Sequence, residues 1–374
     1  MKIKKLMTSE SVGPGHPDKI CDQISDLVLD ECLKQDENSR VACEVFASNR
    51  LIVIGGEITT KAYVDVVQCA WKVLKPLGYT ENDFTIMSNI NKQSPEIANK
   101  VNLSSEKFGA GDQGIVYGYA TNETKSYLPL TYVMSNEILD NLCKLIKDKK
   151  VKGIKFDMKS QVTVDFSDEK NPVLDTVVLS VQHDEKTNLQ TMGKTLKSKL
   201  ITPIVKKYKL NSNFKWYFNH GGSFVVGGPI GDTGLTGRKI IVDSYGSIAH
   251  HGGGAFSGKD YTKVDRTGCY FARYIAKNIV AAKLADKVEV QLSYYIGASK
   301  PLSFYIETFG TNKVDMEKIY SSVEKSFNFD LYNIVMDLKL KQSTYFKTST
   351  FGHFTKNFTW EALDKVETLI KNLN

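Results

Sequence analysis

The chain lacks the features that would place it in a membrane, an oxidising compartment or a zinc-ribbon class. No apolar run in its 374 residues approaches the ~18 needed for a spanning helix. The start, MKIKKLMTSE, is basic but has no apolar core, so it does not read as a signal peptide. Six cysteines, at 21, 32, 43, 69, 143 and 269, are widely spaced and form no C-x-x-C pair. That argues against a zinc ribbon and a disulfide framework, and leaves a cytoplasmic enzyme with reduced thiols as the expectation. The densest basic run, KDKKVKGIK at 147–155, contains no aromatic residue, which favours a solvated face over a nucleic-acid surface. Strict alternation of strand and helix is also missing, which excludes a doubly wound parallel sheet.

What is present is the composition of a globular protein, 41% hydrophobic and 24% charged, with a net charge of +7 carried mainly by lysine. The length suits roughly two or three domains. Three stretches of alternating apolar residues read as β-hairpins: 41–60, 159–185 and 286–311. Helices are expected before them, near 16–36, 131–149 and 264–284, and after them, near 61–75, 187–207 and 314–325. The spacing repeats about every 120–130 residues. The fold expected is α+β: three similar domains in a pseudo-threefold repeat, each a β-sheet with helices on one face, divided as 1–98, 107–226 and 227–374.

Residues 221–258 hold 12 of the 27 glycines, interleaved with charged residues, as backbone approaching an anion requires. At the end of this stretch, Gly253, Gly258 and Lys259 fit G-x-x-x-x-G-K, but Asp260 stands where a phosphate loop needs Ser or Thr. GAGDQG at 109–114 fits a dinucleotide fingerprint but is followed by a strand rather than a helix, and reads as a Gly-rich loop carrying Asp112. In GHPDKICDQISD, Pro17 and Asp18 suit the first turn of a helix, with His16 at its mouth. Asp18, Asp22, Asp26 and Asp30 recur every four residues; the last three read as a solvated acidic stripe. Asp157 and Lys159 read as an exposed pair at a strand, and Arg238 and Lys239 as cations opening a strand. Together these segments supply one histidine, at least five cations, carboxylates suited to a metal and three Gly-rich loops, an inventory for a polyphosphate.

The motifs GHPDK (15–19), GGEITT (55–60), KQSPEI (92–97), GAGDQG (109–114), KSQVT (159–163), GGPIGDTGLTGRKIIVD (227–243) and HGGGAFSGKDYTKVDR (251–266) resemble, in order and over essentially the whole chain, the S-adenosylmethionine synthetase family. The resemblance implies three similar α+β domains, and a homodimer with shared active sites, assembled further as a dimer of dimers. It implies a reaction in which the methionine sulfur displaces tripolyphosphate from ATP, which is then hydrolysed to phosphate and diphosphate. It also implies two Mg2+ ions per site, and K+. By motif, the catalytic set is His16, Lys159, Arg238, Lys239 and Lys259. ATP falls to these with Asp157, Phe224, Asp232 and Ala255. Methionine falls to Glu57, Gln93, Asp112, Asp232 and Lys263. Asp18 and Asp265 would hold magnesium, and Glu44 potassium. Ser223 stands where the family has a basic residue, Asn91 where it has Gly, and Gly13-Pro14-Gly15 replaces its acidic approach to the histidine. From the residues alone, a P-loop phosphotransferase and a non-catalytic binding protein remain the alternatives.

Overall fold

The computed structural model describes residues 3–92, 102–104, 107–342 and 344–373. β1 (Leu6–Val12) leads into α1 (Pro17–Gln35), then the hairpin of β2 (Arg40–Ser48) and β3 (Leu51–Thr59), α2 (Val66–Leu74) and β4 (Thr85–Asn91). Short strands β5 (Asn102–Ser104) and β6 (Lys107–Phe108) precede β7 (Gly114–Thr121) and α3 (Leu130–Lys147). The second hairpin is β8 (Ile154–Asp165) and β9 (Val173–His183), followed by α4 (Leu189–Leu196), α5 (Thr202–Lys207) and β10 (Lys215–Phe218). A π-turn over Lys197–Ile201 joins α4 to α5. Lys197 O there accepts from both the backbone N–H and the Oγ1 of Thr202, the latter at 2.8 Å, and Pro203 next to it has no N–H to give. β11 (Gly234–Leu235) and the single turn α6 (Ile240–Asp243) lead to α7 (Val264–Ala281), the hairpin β12 (Lys287–Tyr294) and β13 (Ser303–Glu307), and α8 (Met316–Ser326).

The three hairpins predicted from alternation are therefore present, each with a helix before and after it. Their sheets are completed by strands from elsewhere in the chain. β1 pairs antiparallel with β8, β11 with β2, and β7 with β12. In each case the added strand precedes one helix–hairpin unit yet joins the sheet of another, so the exchange runs once around the three units. The first two sheets are finished alike, with β4 parallel to β3 and β10 parallel to β9. Burial follows this interlocking. The middle sheet, α3, α4 and α5 enclose one apolar cluster, while the first and third sheets share a larger one with α1, α2, α7 and α8. Among the described residues no helix is long and apolar enough to cross a membrane.

α1 begins where expected, with His16 as N-cap and Pro17 in the first turn. Its acidic stripe is not solvated: Asp22 and Asp26 are fully buried, and Asp30 is largely so. The i,i+4 spacing puts the four carboxylates on one face, where they receive backbone N–H groups from three later segments. Asp18 accepts from Leu235 N (2.9 Å), Asp22 from Gly237 N (2.9 Å) and Asp26 from Gly258 N (2.8 Å). Asp30 accepts from Tyr345 N (2.6 Å) and Phe346 N (2.9 Å). Sequence pattern cannot separate such a ladder from a wetted stripe, because the partners lie more than 200 residues away.

Candidate active site

The exchanged strand β1 ends against β8, and this junction builds the first half of the site. Gly13 N and Gly15 N donate to Met158 O (2.8 Å) and Phe156 O (2.9 Å), so the approach to His16 is drawn along the edge of β8. A Cβ on Gly15 would lie 2.5 Å from Phe156 C, which makes glycine obligatory there. His16 is buried, and its Nδ1 accepts from Asp18 N at 3.2 Å. Burial, then Lys239 and Lys159, push its pKa down to about 3. A neutral ring whose Nδ1 accepts carries its proton on Nε2, so His16 is a donor. Asp157 is buried and accepts from Gly228 N at 2.7 Å; burial raises its pKa to about 6 against the pull of that bond and of Lys159, with Asp232 adding to the rise.

Arg238 and Lys239 do not open a strand. They sit between β11 and the single turn α6, with Lys239 as its N-cap. A strand would point adjacent cations to opposite faces; this turn brings both to one carboxylate. Lys239 Nζ lies 2.6 Å from Asp18 Oδ2, and Arg238 Nε lies 3.8 Å from Asp18 Oδ1. Phe224 stands at the end of β9, where its N donates to His183 Nε2 at 2.9 Å; Ser223 beside it is exposed.

A cavity of about 430 Å³ forms the second half, lined by Glu57, Asp112, Lys259, Lys263 and Asp265 together with Arg40 and Asn91. Lys259 Nζ bonds Asp265 Oδ2 at 2.6 Å. Lys263, the N-cap of α7, bonds Asp260 Oδ2 at 2.5 Å. Asp260 itself explains the failed phosphate loop. Fully buried, it accepts from Val41 N (2.6 Å), Thr262 N (2.8 Å) and Thr262 Oγ1 (2.6 Å), fastening the loop to β2. Burial alone would raise its carboxyl, but Lys263 and Arg40 hold it below the usual carboxylate range. Gly258 has φ +79° and no room for a side chain, since a Cβ would meet Cys43 O at 1.9 Å. Asp112 turns back onto its own loop, accepting from Gln113 N at 2.8 Å.

The two halves adjoin where Gly237 packs on Ala255; a Cβ on Gly237 would lie 2.4 Å from that of Ala255. Behind them, Arg266 forks onto Asp26 at 2.7 and 3.1 Å and also holds Phe256 O at 3.0 Å. Glu44 stands apart, exposed on the outward face of β2 opposite Gly55. Gln93 lies outside the described residues. Sequence reasoning passed over Arg40, whose guanidinium lines the cavity while donating to Tyr261 OH at 2.9 Å. Its signal was faint: it is one of five arginines among 49 basic residues.

Comparison with known proteins gives the same order of segments. Residues 4–99, 107–224 and 226–362 match the N-terminal, central and C-terminal domains of S-adenosylmethionine synthetase. An S-adenosylmethionine synthase of Mycoplasmopsis pulmonis is 56% identical over 371 residues, covering 98% of this chain and 99% of that protein. That of Mesoplasma florum is 52% identical over 377 residues, covering 99% of this chain and all of the relative. That of Brachyspira hyodysenteriae is 49% identical, over 96% of this chain and 95% of its own length. With three domain matches in sequence and relatives of this identity along nearly its full length, the chain belongs to the S-adenosylmethionine synthetase family.

Proposed function

We propose that this chain forms S-adenosylmethionine from ATP and L-methionine, displacing tripolyphosphate and then hydrolysing it to phosphate and diphosphate. The observation that carries this reading is the convergence of His16, Asp18, Lys159, Arg238 and Lys239 on the α1 N-terminus, next to a cavity lined by Glu57, Lys259, Lys263 and Asp265. The first half suits a polyphosphate, since cations and a neutral histidine donor meet at a helix start. The second offers Glu57 to an ammonium and Lys263 to a carboxylate, as an amino acid requires, with Lys259 and Asp265 on its polyphosphate side.

A thioether sulfur carries no proton, so attack on C5′ of the ribose needs no general base. Catalysis then consists of holding the two reactants in line and stabilising the departing polyanion. Lys159, Arg238, Lys239 and Lys259 take up that charge, and His16 donates through Nε2 near the bond that breaks. Asp157 and Phe224, with Ala255, line the nucleotide side; Asp232 serves both substrates, and Asp112 and Gln93 complete the methionine side. All six cysteines are buried and free, and offer no competing nucleophile.

The residues present fit magnesium. Asp18 and Asp265 supply hard oxygens, and Asp265 Oδ1 has no hydrogen-bond partner among the described residues. It faces Gly254, where a Cβ would sit 2.2 Å from that oxygen. Among the described residues no three His, Cys, Asp or Glu side chains gather as a complete metal cage. That suits an ion bound by one or two carboxylates plus substrate phosphates. Bound there, magnesium would neutralise phosphate charge. Glu44 offers a single exposed carboxylate to potassium.

The active sites of two copies are read as shared, within a dimer that pairs again. Exposed Phe46 and Met87 beside Glu44 and Glu57 support a partner on that sheet face. A cytoplasmic setting and the division 1–98, 107–226 and 227–374 complete the reading. Incubation with ATP, methionine, magnesium and potassium tests it: S-adenosylmethionine is expected, with slower turnover when potassium is left out. ADP alone, or no product, refutes it. Lys259→Ala is expected to slow both the adenosyl transfer and tripolyphosphate hydrolysis in a folded protein.

A further inference from the structure

Directly behind the Asp18–Lys239 contact lies a second ion pair, formed by the last residues of the GHPDK and GGPIGDTGLTGRKIIVD stretches, neither of which was given a role above. Lys19 follows Asp18 in α1, and its ammonium is fully buried against Asp243 Oδ1, with Asp22 Oδ2 3.0 Å away. Burial would lower the lysine, but the Asp22 and Asp243 carboxylates hold it protonated above the ordinary lysine range. Asp243 ends the single turn α6 that Lys239 begins, and its N donates to Lys239 O at 2.9 Å. The two pairs therefore close a ring. Asp18 and Lys19 are adjacent in α1, and one helical turn separates Lys239 from Asp243.

The inner half of this ring is anchored on every side. Asp243 O accepts from His353 N at 2.9 Å, and Asp243 Oδ2 lies 3.9 Å from His353 Nε2. Val242 O accepts from Tyr132 OH at 2.9 Å, and Asp22 Oδ1 from Gly237 N at 2.9 Å. The outer half is freer: Lys239 is 19% and Arg238 55% exposed at the side chain. A four-residue turn cannot hold two long cationic side chains in place by its own hydrogen bonds. The buried pair sets where that turn sits relative to the first turn of α1.

We propose that Lys19 and Asp243 are positioning residues, whose buried ion pair fixes Arg238 and Lys239 against His16 and Asp18 for the departing polyphosphate. This rests on the function proposed above. A pair that only stabilised the fold would lower the melting temperature and leave the turnover of folded protein unchanged. A pair that positions the polyphosphate cations changes kcat while leaving methionine affinity intact, because Glu57, Asp112 and Lys263 lie on the other half of the site.

The test is Asp243→Asn, which keeps the shape, removes the charge and leaves Lys19 its Asp22 partner. Expected is a fall in kcat of about 10²-fold with methionine KM unchanged, the size of loss that a misplacement of about 1 Å produces. Partial recovery is expected in Asp243→Glu. Folded Asp243→Asn with wild-type kcat overturns the proposal, as does a proportional loss in kcat and methionine affinity. Should that variant fail to fold, Lys19→Met combined with Asp243→Leu and Asp22→Asn removes all three buried charges together, a change that buried ion pairs tolerate, and the asparagine oxygen still accepts from Gly237 N. Low kcat in that folded triple variant supports the proposal, and wild-type kcat overturns it. If the wild type itself forms no S-adenosylmethionine, the functional reading fails. Positioning is then read from a crystal structure of Asp243→Asn, where an unchanged Lys239–Asp18 contact of 2.6 Å overturns it.

Discussion

Replacing Asp26 by asparagine separates two physical pictures of the acidic face of α1. Were the stripe solvated, the change would cost no more than about 0.5 kcal/mol. In the structure Asp26 is fully buried and holds both ends of the Arg266 guanidinium, at 2.7 and 3.1 Å, while accepting from Gly258 N. Asparagine retains the Gly258 bond through its amide oxygen but strands the guanidinium. Arg266 is then left with neutral acceptors, Phe256 O, Lys259 O and Thr348 Oγ1. Breaking one side of a buried pair costs about 3–5 kcal/mol. At a urea m-value of about 3 kcal/mol per molar, that moves the unfolding midpoint down by about 1–2 M. Glu37→Gln is the control: its side chain is 62% exposed, and its change should stay within about 0.5 kcal/mol. A midpoint for Asp26→Asn indistinguishable from the control would refute the buried-ladder reading.

Other consequences can be checked directly. Gly15→Ala should lower both stability and turnover, because its Cβ would fall 2.5 Å from Phe156 C and push the His16 turn off β8; wild-type kinetics would contradict that. Lys356 donates to Thr350 O at 2.9 Å, and burial pushes its pKa down to about 8 from an ordinary 10.5. Between those values the unfolded chain binds the extra proton, so this group's contribution to stability rises with pH from about 8 to about 10.5. Unfolding measured across that range should show the rise in wild type and not in Lys356→Met. All six cysteines are buried, so a thiol reagent should label none of them rapidly before unfolding. Asp265→Asn should raise the magnesium concentration required for half-maximal turnover, read from a metal titration.

Local elements were legible because their signals are local. Alternation marked the hairpins, a proline and an aspartate marked the start of α1, and glycine clusters marked loops that approach other backbone. The candidate site was legible as an inventory of charges and, through the family motifs, as positions. What could not be read was which charge meets which. Asp22, Asp26 and Asp30 look like any solvated stripe until segments around 237, 258 and 345 are laid against them. Arg238 and Lys239 look like a strand opening because Ile240, Ile241 and Val242 are β-branched, yet they form one helical turn. Tertiary contact prevails there, through the buried Asp243 and the Tyr132 bond to Val242 O.

By itself the sequence determined the threefold recurrence of helix, hairpin and helix, the open α+β class, and the inventory of charged residues from which the proposed polyphosphate site is drawn. Periodicity and capping depend on neighbours a few residues away, so they survive without coordinates. Only the tertiary structure decided that β1, β7 and β11 would each cross into another unit's sheet. That exchange carries His16 to Asp157 and Lys159, and Arg238 and Lys239 to Asp18. It also decided that the Asp260 carboxylate fastens its loop to β2 rather than completing a phosphate loop. Such pairings are set by burial and by satisfying backbone N–H groups across more than a hundred residues, and no local pattern encodes them.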